Sequence, residues 1–293
     1  MRNIFFAFLF FFTLASPVAA ELHVIATPPW IGSLARENGR EQVAVTILVK
    51  PNQDPHMVEA KPSMILAGRK ADIIMYNGLD LEIGYLPLLL ESSRNPRLMP
   101  GKSGNFDCSR FVSVIDKPTV TDRSMGDVHP LGNPHYHFSP ANILRVAEGM
   151  SQTLALLDAA NADFYRQNFQ GFAARLADHQ QRWATIRLQG KRFVAYHKLF
   201  EYLAADFGLQ ITGYVEAKPG IPPSAAHVEE LVAAMTSNAP DALLTTGFYG
   251  GKDAESISAR TGVKVITLPA DVGALAGTDD WFAFMDQTLI LLQ

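Results

Sequence analysis

The sequence predicts an α/β fold of two lobes, each a mostly parallel β-sheet flanked by helices, joined by one long rigid α-helix. Short apolar, β-branched runs alternate with helical patterns through residues 22–91, as in sheets covered by helices on both faces. The same alternation restarts at residue 193. Between the two stretches, residues 161–188 hold no proline and a single glycine, Gly171. There Tyr165, Phe169, Phe172, Leu176, His179, Trp183 and Ile186 recur at spacings of four and three, which puts them on one helical face. At 1.5 Å per residue such a helix runs about 40 Å, enough to traverse a domain.

Residues 22–26 form the first expected strand, and Pro28-Pro29-Trp30 turns the chain into a helix over 31–38 that Gly39 stops. The β-branched run 43–49 is the second strand, and the polar, proline-containing loop 50–55 delivers His56. A helix over 61–70 accepts Pro62 in its first turn. Strand 71–76 closes at Asn77-Gly78, and the helix expected over 81–91 should bend at Pro87. Gly190 ends the long helix, and strands follow at 193–196, 242–245 and 263–268. The expected organisation is a leader over 1–20, a first lobe over 21–158, the connecting helix over 159–189 and a second lobe over 190–293.

Arg2, the apolar run 4–15 and the small residues Val18-Ala19-Ala20 have the form of an export signal cut before Glu21. The run is too short to span a bilayer comfortably, and no other apolar stretch of about 18 residues follows. No cysteine lies near the cut, so a soluble exported protein without a lipid anchor is expected. The 29 acidic and 25 basic residues leave a formal charge of −4, with no block of like sign. That balance gives no support to nucleic acid or an anionic membrane as partner. Cys108 is the single cysteine, which rules out an intrachain disulfide and a thiolate zinc site. Its neighbours Phe106 and Phe111 point to packing. With 48% apolar residues, the chain has material for two modest cores.

Eight histidines need sorting. His23 lies inside a strand, His179 shares the apolar stripe of the long helix, and His227 falls in the first turn of a helix capped by Ser224; each has a structural or solvated reading. His56 is held by Asp54-Pro55 just after a strand, where ligands of open α/β sheets bind. His135 follows Pro134, and with His129 and His137 it makes a cluster that core packing does not explain. His197 ends the first strand of the second lobe, and Asp271 follows its last. Imidazoles and a carboxylate delivered singly by separate loops suit a tetrahedral metal cage in a cleft between lobes. Three nitrogen donors and one oxygen donor favour Zn²⁺, and using Asp271 as fourth ligand closes the site to water, which favours carriage over hydrolysis.

These residues resemble the zinc/manganese solute-binding proteins of bacterial ABC importers, the ZnuA-like cluster. Asp54-Pro55-His56-Met57-Val58-Glu59, Pro62-Ser63, Ala71-Asp72-Ile73-Ile74 and Asn77-Gly78-Leu79-Asp80-Leu81-Glu82 are similar to that family's first metal loop and the strand after it. Gly126-Asp127-Val128-His129-Pro130-Leu131-Gly132-Asn133-Pro134-His135 resembles the second loop, and Tyr196-His197-Lys198-Leu199-Phe200-Glu201-Tyr202 the third. Pro219-Gly220-Ile221-Pro222-Pro223-Ser224 is similar to the segment that follows. The likeness covers essentially the whole chain after the leader.

The resemblance implies a ligand set of His56, His135, His197 and Asp271, with His129 and His137 as accessory candidates, and a Zn²⁺ cargo handed to an ABC permease in the inner membrane. It implies no catalysis, a periplasmic monomer, a periplasmic metallochaperone as candidate donor, and small movements of the lobes. A histidine at position 197 matches the zinc-type members, where manganese-selective relatives place a carboxylate. Three departures stand out. The long His- and acid-rich loop common in zinc importers is missing, since residues 121–133 hold His129 alone among histidines. Asn133 stands where Asp is usual, and His137 where an aromatic is. The rival expectations are a manganese or iron carrier, a secreted zinc hydrolase, and an interaction protein using metal only structurally. The sequence has no His-Glu-x-x-His pattern for the hydrolase.

Overall fold

The computed structural model describes residues 21–119 and 129–293, so the expected leader over 1–20 lies outside the described residues. Two four-stranded sheets organise the chain, and every pairing in them is parallel. The first has the order β2-β1-β3-β4, built from β1 (Leu22–Ala26), β2 (Val43–Ile47), β3 (Ile73–Tyr76) and β4 (Asn105–Asp107). The second repeats the pattern as β6-β5-β7-β8, from β5 (Arg192–Ala195), β6 (Gln210–Tyr214), β7 (Ala242–Thr246) and β8 (Val265–Leu268). The connecting helices are α1 (Pro29–Gly39), α2 (Pro62–Lys70), α3 (Leu86–Ser93), α4 (Pro140–Leu157), α5 (Ala162–Trp183), α6 (Glu201–Phe207), α7 (Ala225–Ser237), α8 (Gly251–Thr261) and α9 (Trp281–Leu291). Among the described residues no helix is long and apolar enough to cross a membrane.

Strand alternation divides the apolar side chains between cores. Val24, Ala26, Ile73 and Met75 face one way with Phe193, Ala195, Ala242 and Leu244 of the other sheet, in a single cluster with Trp30, Phe172, Trp183 and Phe284. Ile25 and Ile74 face the opposite side and pack with Met64 and Leu89 under α2 and α3. Val194 and Leu243 do the same under α7 and α8, against Leu231 and Ile257. Two modest cores are therefore not what forms. The inner faces of both sheets share one apolar body through α1, α4, α5 and α9, and each lobe keeps only a smaller core on its outer face.

Helix α5 fits the predicted stripe, with Tyr165, Phe172, Leu176, His179 and Trp183 buried. Its 22 residues make it about 33 Å long, shorter than expected. Thr185 Oγ1 donates to Arg182 O at 2.7 Å, a local bond that competes with helix continuation. The helix touches both lobes. Asn168 Nδ2 donates to Asn38 O of α1 at 3.0 Å, while Trp183 Nε1 and His179 Nδ1 both donate to Asp286 Oδ1 of α9, at 2.6 and 3.0 Å. Helix α9 returns the chain to the first lobe: Trp281 N donates to Ser33 Oγ at 3.0 Å and its indole Nε1 to His137 O at 2.8 Å.

The helix expected over 81–91 begins only at Leu86, with Pro87 in its first turn rather than at a bend. The reason is Glu82. Its buried carboxylate accepts Asn77 N at 2.7 Å, Gly78 N at 3.0 Å and Thr27 Oγ1 at 2.6 Å. Gly78, Leu79 and Asp80 take φ of 80°, 55° and 64° around it, which a helix cannot accommodate. Cys108 is fully buried, as its aromatic neighbours indicated.

Candidate metal centre

Both sheet orders reverse direction at the strand pair where a crevice opens beyond the carboxyl ends, β1/β3 in one lobe and β5/β7 in the other. The two crevices share a wall. Trp30 after β1, His56 after β2, Asn77 after β3, Tyr249 after β7 and Asp271 after β8 line one enclosed cavity together with His135. On the outer side, His129, His135, His197, Asn133, Lys198 and Pro219 line a more open cleft of about 440 Å³.

His56 sits in a short 3-10 turn, Pro55–Met57. Asp54 caps it, and its Oδ1 accepts both His56 N at 3.0 Å and His56 Nδ1 at 2.7 Å. His197 Nδ1 donates to Glu216 Oε2 at 2.7 Å, and Tyr249 stacks on the ring with centroids 4.8 Å apart. His129 Nδ1 donates to Leu79 O at 3.1 Å. Carboxylates and carbonyls only accept, so all three rings carry a proton on Nδ1, and in the neutral ring Nε2 is the lone pair. His135 is fixed by its backbone N–H on Asn133 Oδ1 at 2.9 Å, and its Nε2 is buried without a hydrogen-bond partner. A buried polar atom left unpaired calls for a ligand.

The rings converge. Centroids lie 5.3 Å apart for His56 and His135, 5.6 Å for His56 and His197, and 5.5 Å for His135 and His197. Donor atoms of His56, His129 and His135 fall within 4.8 Å of one another, the set of three or more metal-binding groups found among the described residues. Burial pushes His135 well below the ordinary histidine range, and the surrounding histidines add to the effect. Burial, then His56, lowers His129 to about 3. Rings held neutral in this way keep their lone pairs free for a cation. Asp54 is pushed up by burial, but the hydrogen bonds and charge of His56 outweigh this and hold it below its usual value.

His137 and Asp271 stand apart from that convergence. His137 Nε2 donates to Ala270 O at 3.0 Å, and the buried ring lies parallel to Trp30 with centroids 6.2 Å apart. It thereby ties the His135 loop to the Asp271 loop. Asp271 Oδ1 accepts its neighbour Val272 N at 2.6 Å, and burial pushes the carboxyl group up to about 8. Two of the remaining histidines are engaged elsewhere: His179 Nδ1 on Asp286 Oδ1 at 3.0 Å, and His227 Nε2 on Tyr214 O at 2.9 Å.

Sequence reading did not find the partners that orient the rings. Asp54, two residues before His56, has the spacing of a side chain capping its own turn and was legible in principle. Glu216 lies 19 residues from His197 and carries no local signal. Nor does Glu82, whose cage around Asn77 reaches the His135 loop: Asn77 Nδ2 donates to Pro134 O at 3.1 Å, and Tyr136 Oη donates to Asn77 O.

A model of the periplasmic zinc-uptake complex component A, ZnuA, matches residues 24–293. The chain belongs to the ZnuA family. Among curated relatives, the iron-binding protein YfeA of Yersinia pestis is 24% identical over 258 residues, covering 85% of this chain and 77% of that protein. The manganese ABC transporter substrate-binding lipoprotein PsaA of Streptococcus anginosus is 24% identical over 193 residues, 64% of this chain and 60% of that one. A crystal structure of ZnuA superposes with a TM-score of 0.76 at 23% identity, covering 93% of this chain and 98% of the other. A cadmium-bound periplasmic metal-binding protein from Candidatus Liberibacter asiaticus gives 0.75 at 20% identity, covering 92% and 98%. Members of the ZnuA family thus share this two-sheet fold, and the relatives are named for different metals.

Proposed function

We propose that this ZnuA-family protein works in the periplasm as a high-affinity Zn²⁺ carrier that delivers its ion to the permease of an ABC importer. The observation that carries the reading is the approach of His56, His135 and His197 from three loops, their centroids 5.3–5.6 Å apart, with His135 Nε2 buried and unpaired. Asp271 offers an oxygen from the inner wall as the fourth donor. Transport needs capture and release with no bond made or broken, and the family is one of transport components rather than enzymes. The lobes over 21–158 and 190–293, with residues 159–189 as a rigid strut, would move little, because wide opening would expose the shared apolar core. A metallochaperone could load a monomer of this kind through the open cleft.

Imidazole-rich sets suit zinc, whereas manganese prefers oxygen. YfeA and PsaA are named for iron and manganese, so carriage of those ions is the second reading. The test is zinc stoichiometry and affinity of the chain and of His56→Ala, His135→Ala and His197→Ala, with Mn²⁺ and Fe²⁺ as competitors. One tightly held zinc, weakened by each change, is expected. Tight binding that survives all three rejects the site, and a stronger response to Mn²⁺ or Fe²⁺ rejects zinc as cargo.

A further inference from the structure

We propose that His129 is a direct ligand of the carried ion, closing a four-imidazole sphere from the outer side of the cleft, with Asp271 as the competing donor on the inner wall. The inference rests on the transport reading and deepens it by naming the sphere that selects the ion.

His129 Nε2 lies 3.0 Å from His56 Nε2. At that distance two nitrogens must share a hydrogen or a cation. Neither ring has the hydrogen in its neutral form. His56 spends its proton on Asp54 and His129 spends its own on Leu79 O, an acceptor that cannot return one. With both rings neutral, two lone pairs face each other, an arrangement that binds when a positive ion sits against both. His135 Nε2, buried and unpartnered, belongs to the same group of donor atoms. His197, bonded to Glu216 through Nδ1, stands outside that group of donor atoms, with its ring centroid 5.6 Å from His56 and 5.5 Å from His135.

The two candidates for the fourth position differ in where they stand. His129 lines the open cleft with His135 and His197, whereas Asp271 lines the enclosed cavity with His56 and His135. Asp271 already uses Oδ1 to hold its own turn, while His129 Nε2 faces His56 Nε2. Four nitrogens and no oxygen disfavour hard ions such as Mn²⁺ and favour zinc. They also place the exchangeable ligand on the accessible side, where swinging one imidazole away opens the ion to a partner.

X-ray absorption on the zinc-loaded full chain counts imidazoles directly through scattering from the outer ring atoms. Four are expected in the wild type and three plus an oxygen in His129→Ala, with four retained in Asp271→Asn. Zinc affinity of His129→Ala should fall at least about tenfold, the lower end of what losing only a ligand's orienting partner costs. His129→Gln, which keeps the bond to Leu79 O within reach, guards against a loop that merely collapses and should show the same loss of one imidazole. A wild-type count of three, or a spectrum unmoved by His129→Ala while one zinc remains bound, overturns the assignment and leaves the transport reading standing. Failure of the wild type to hold zinc at all overturns both.

Discussion

Removing the carboxylate behind His197 tests whether the imidazoles are held for metal or merely packed. Glu216 Oε2 accepts from His197 Nδ1 at 2.7 Å, and the two side chains are 8% and 5% exposed. In Glu216→Ala the ring loses the group that fixes its tautomer, so Nε2 is no longer reserved as the donor. Orienting partners of this kind are worth about 10–100-fold in metal affinity, which is about 1.4–2.7 kcal/mol. Asp54→Ala should cost less, because Asp54 is 20% exposed and water can replace it on His56 Nδ1. Glu216→Gln keeps a neutral acceptor in place and should fall between wild type and Glu216→Ala. Competition against a chromogenic zinc chelator at neutral pH reads all three. Affinity of Glu216→Ala within about twofold of wild type, or Gln no better than Ala, would refute the orienting role.

Two further outcomes follow from buried charge and from the strut. Burial raises the Asp271 carboxyl group from 3.8 to about 8, so the metal-free native state binds the extra proton across that range. Its contribution is present at low pH and lost as pH rises towards 8; Asp271→Asn should therefore flatten the fall in melting temperature between neutral pH and 8, seen by calorimetry with chelator present. An unchanged slope would show that the carboxyl group is ionised in the metal-free fold. Asp286→Ala removes the acceptor shared by Trp183 Nε1 and His179 Nδ1 and should destabilise the chain by about 1–3 kcal/mol in urea; no loss would mean that α5 and α9 are held by apolar contact alone.

Much of the fold was legible because its signals are local. The β-branched runs at β1, β2 and β3, the stop at Gly39, and the spacing of apolar residues in α5 are properties of neighbours along the chain, whereas the stop expected at Gly190 comes earlier, at Trp183. Two of the missed elements lack such signals. Strand β4 is three residues long, and α9 buries Trp281, Phe282, Phe284, Met285 and Leu289 around most of its circumference, so it shows little periodic contrast. The helix expected from 81 failed because Glu82, an ordinary helix former, is consumed by Asn77, Gly78 and Thr27, a tertiary bond that outweighs propensity.

The chain alone pointed to residues with the chemistry to hold a metal, since Asp54-Pro55-His56 and Asn133-Pro134-His135 advertise rigid, loop-borne imidazoles. Only the tertiary structure decided which of them meet. It joined the inner faces of the two sheets in one core, aimed their carboxyl ends at a common cleft and set His129 Nε2 3.0 Å from His56 Nε2 while Asp271 stayed on the wall behind. Local pattern records what each segment does with its own neighbours. Which lone pairs share a point in space depends on contacts such as that between His56 and His129, 73 positions apart, and no local window of sequence contains them.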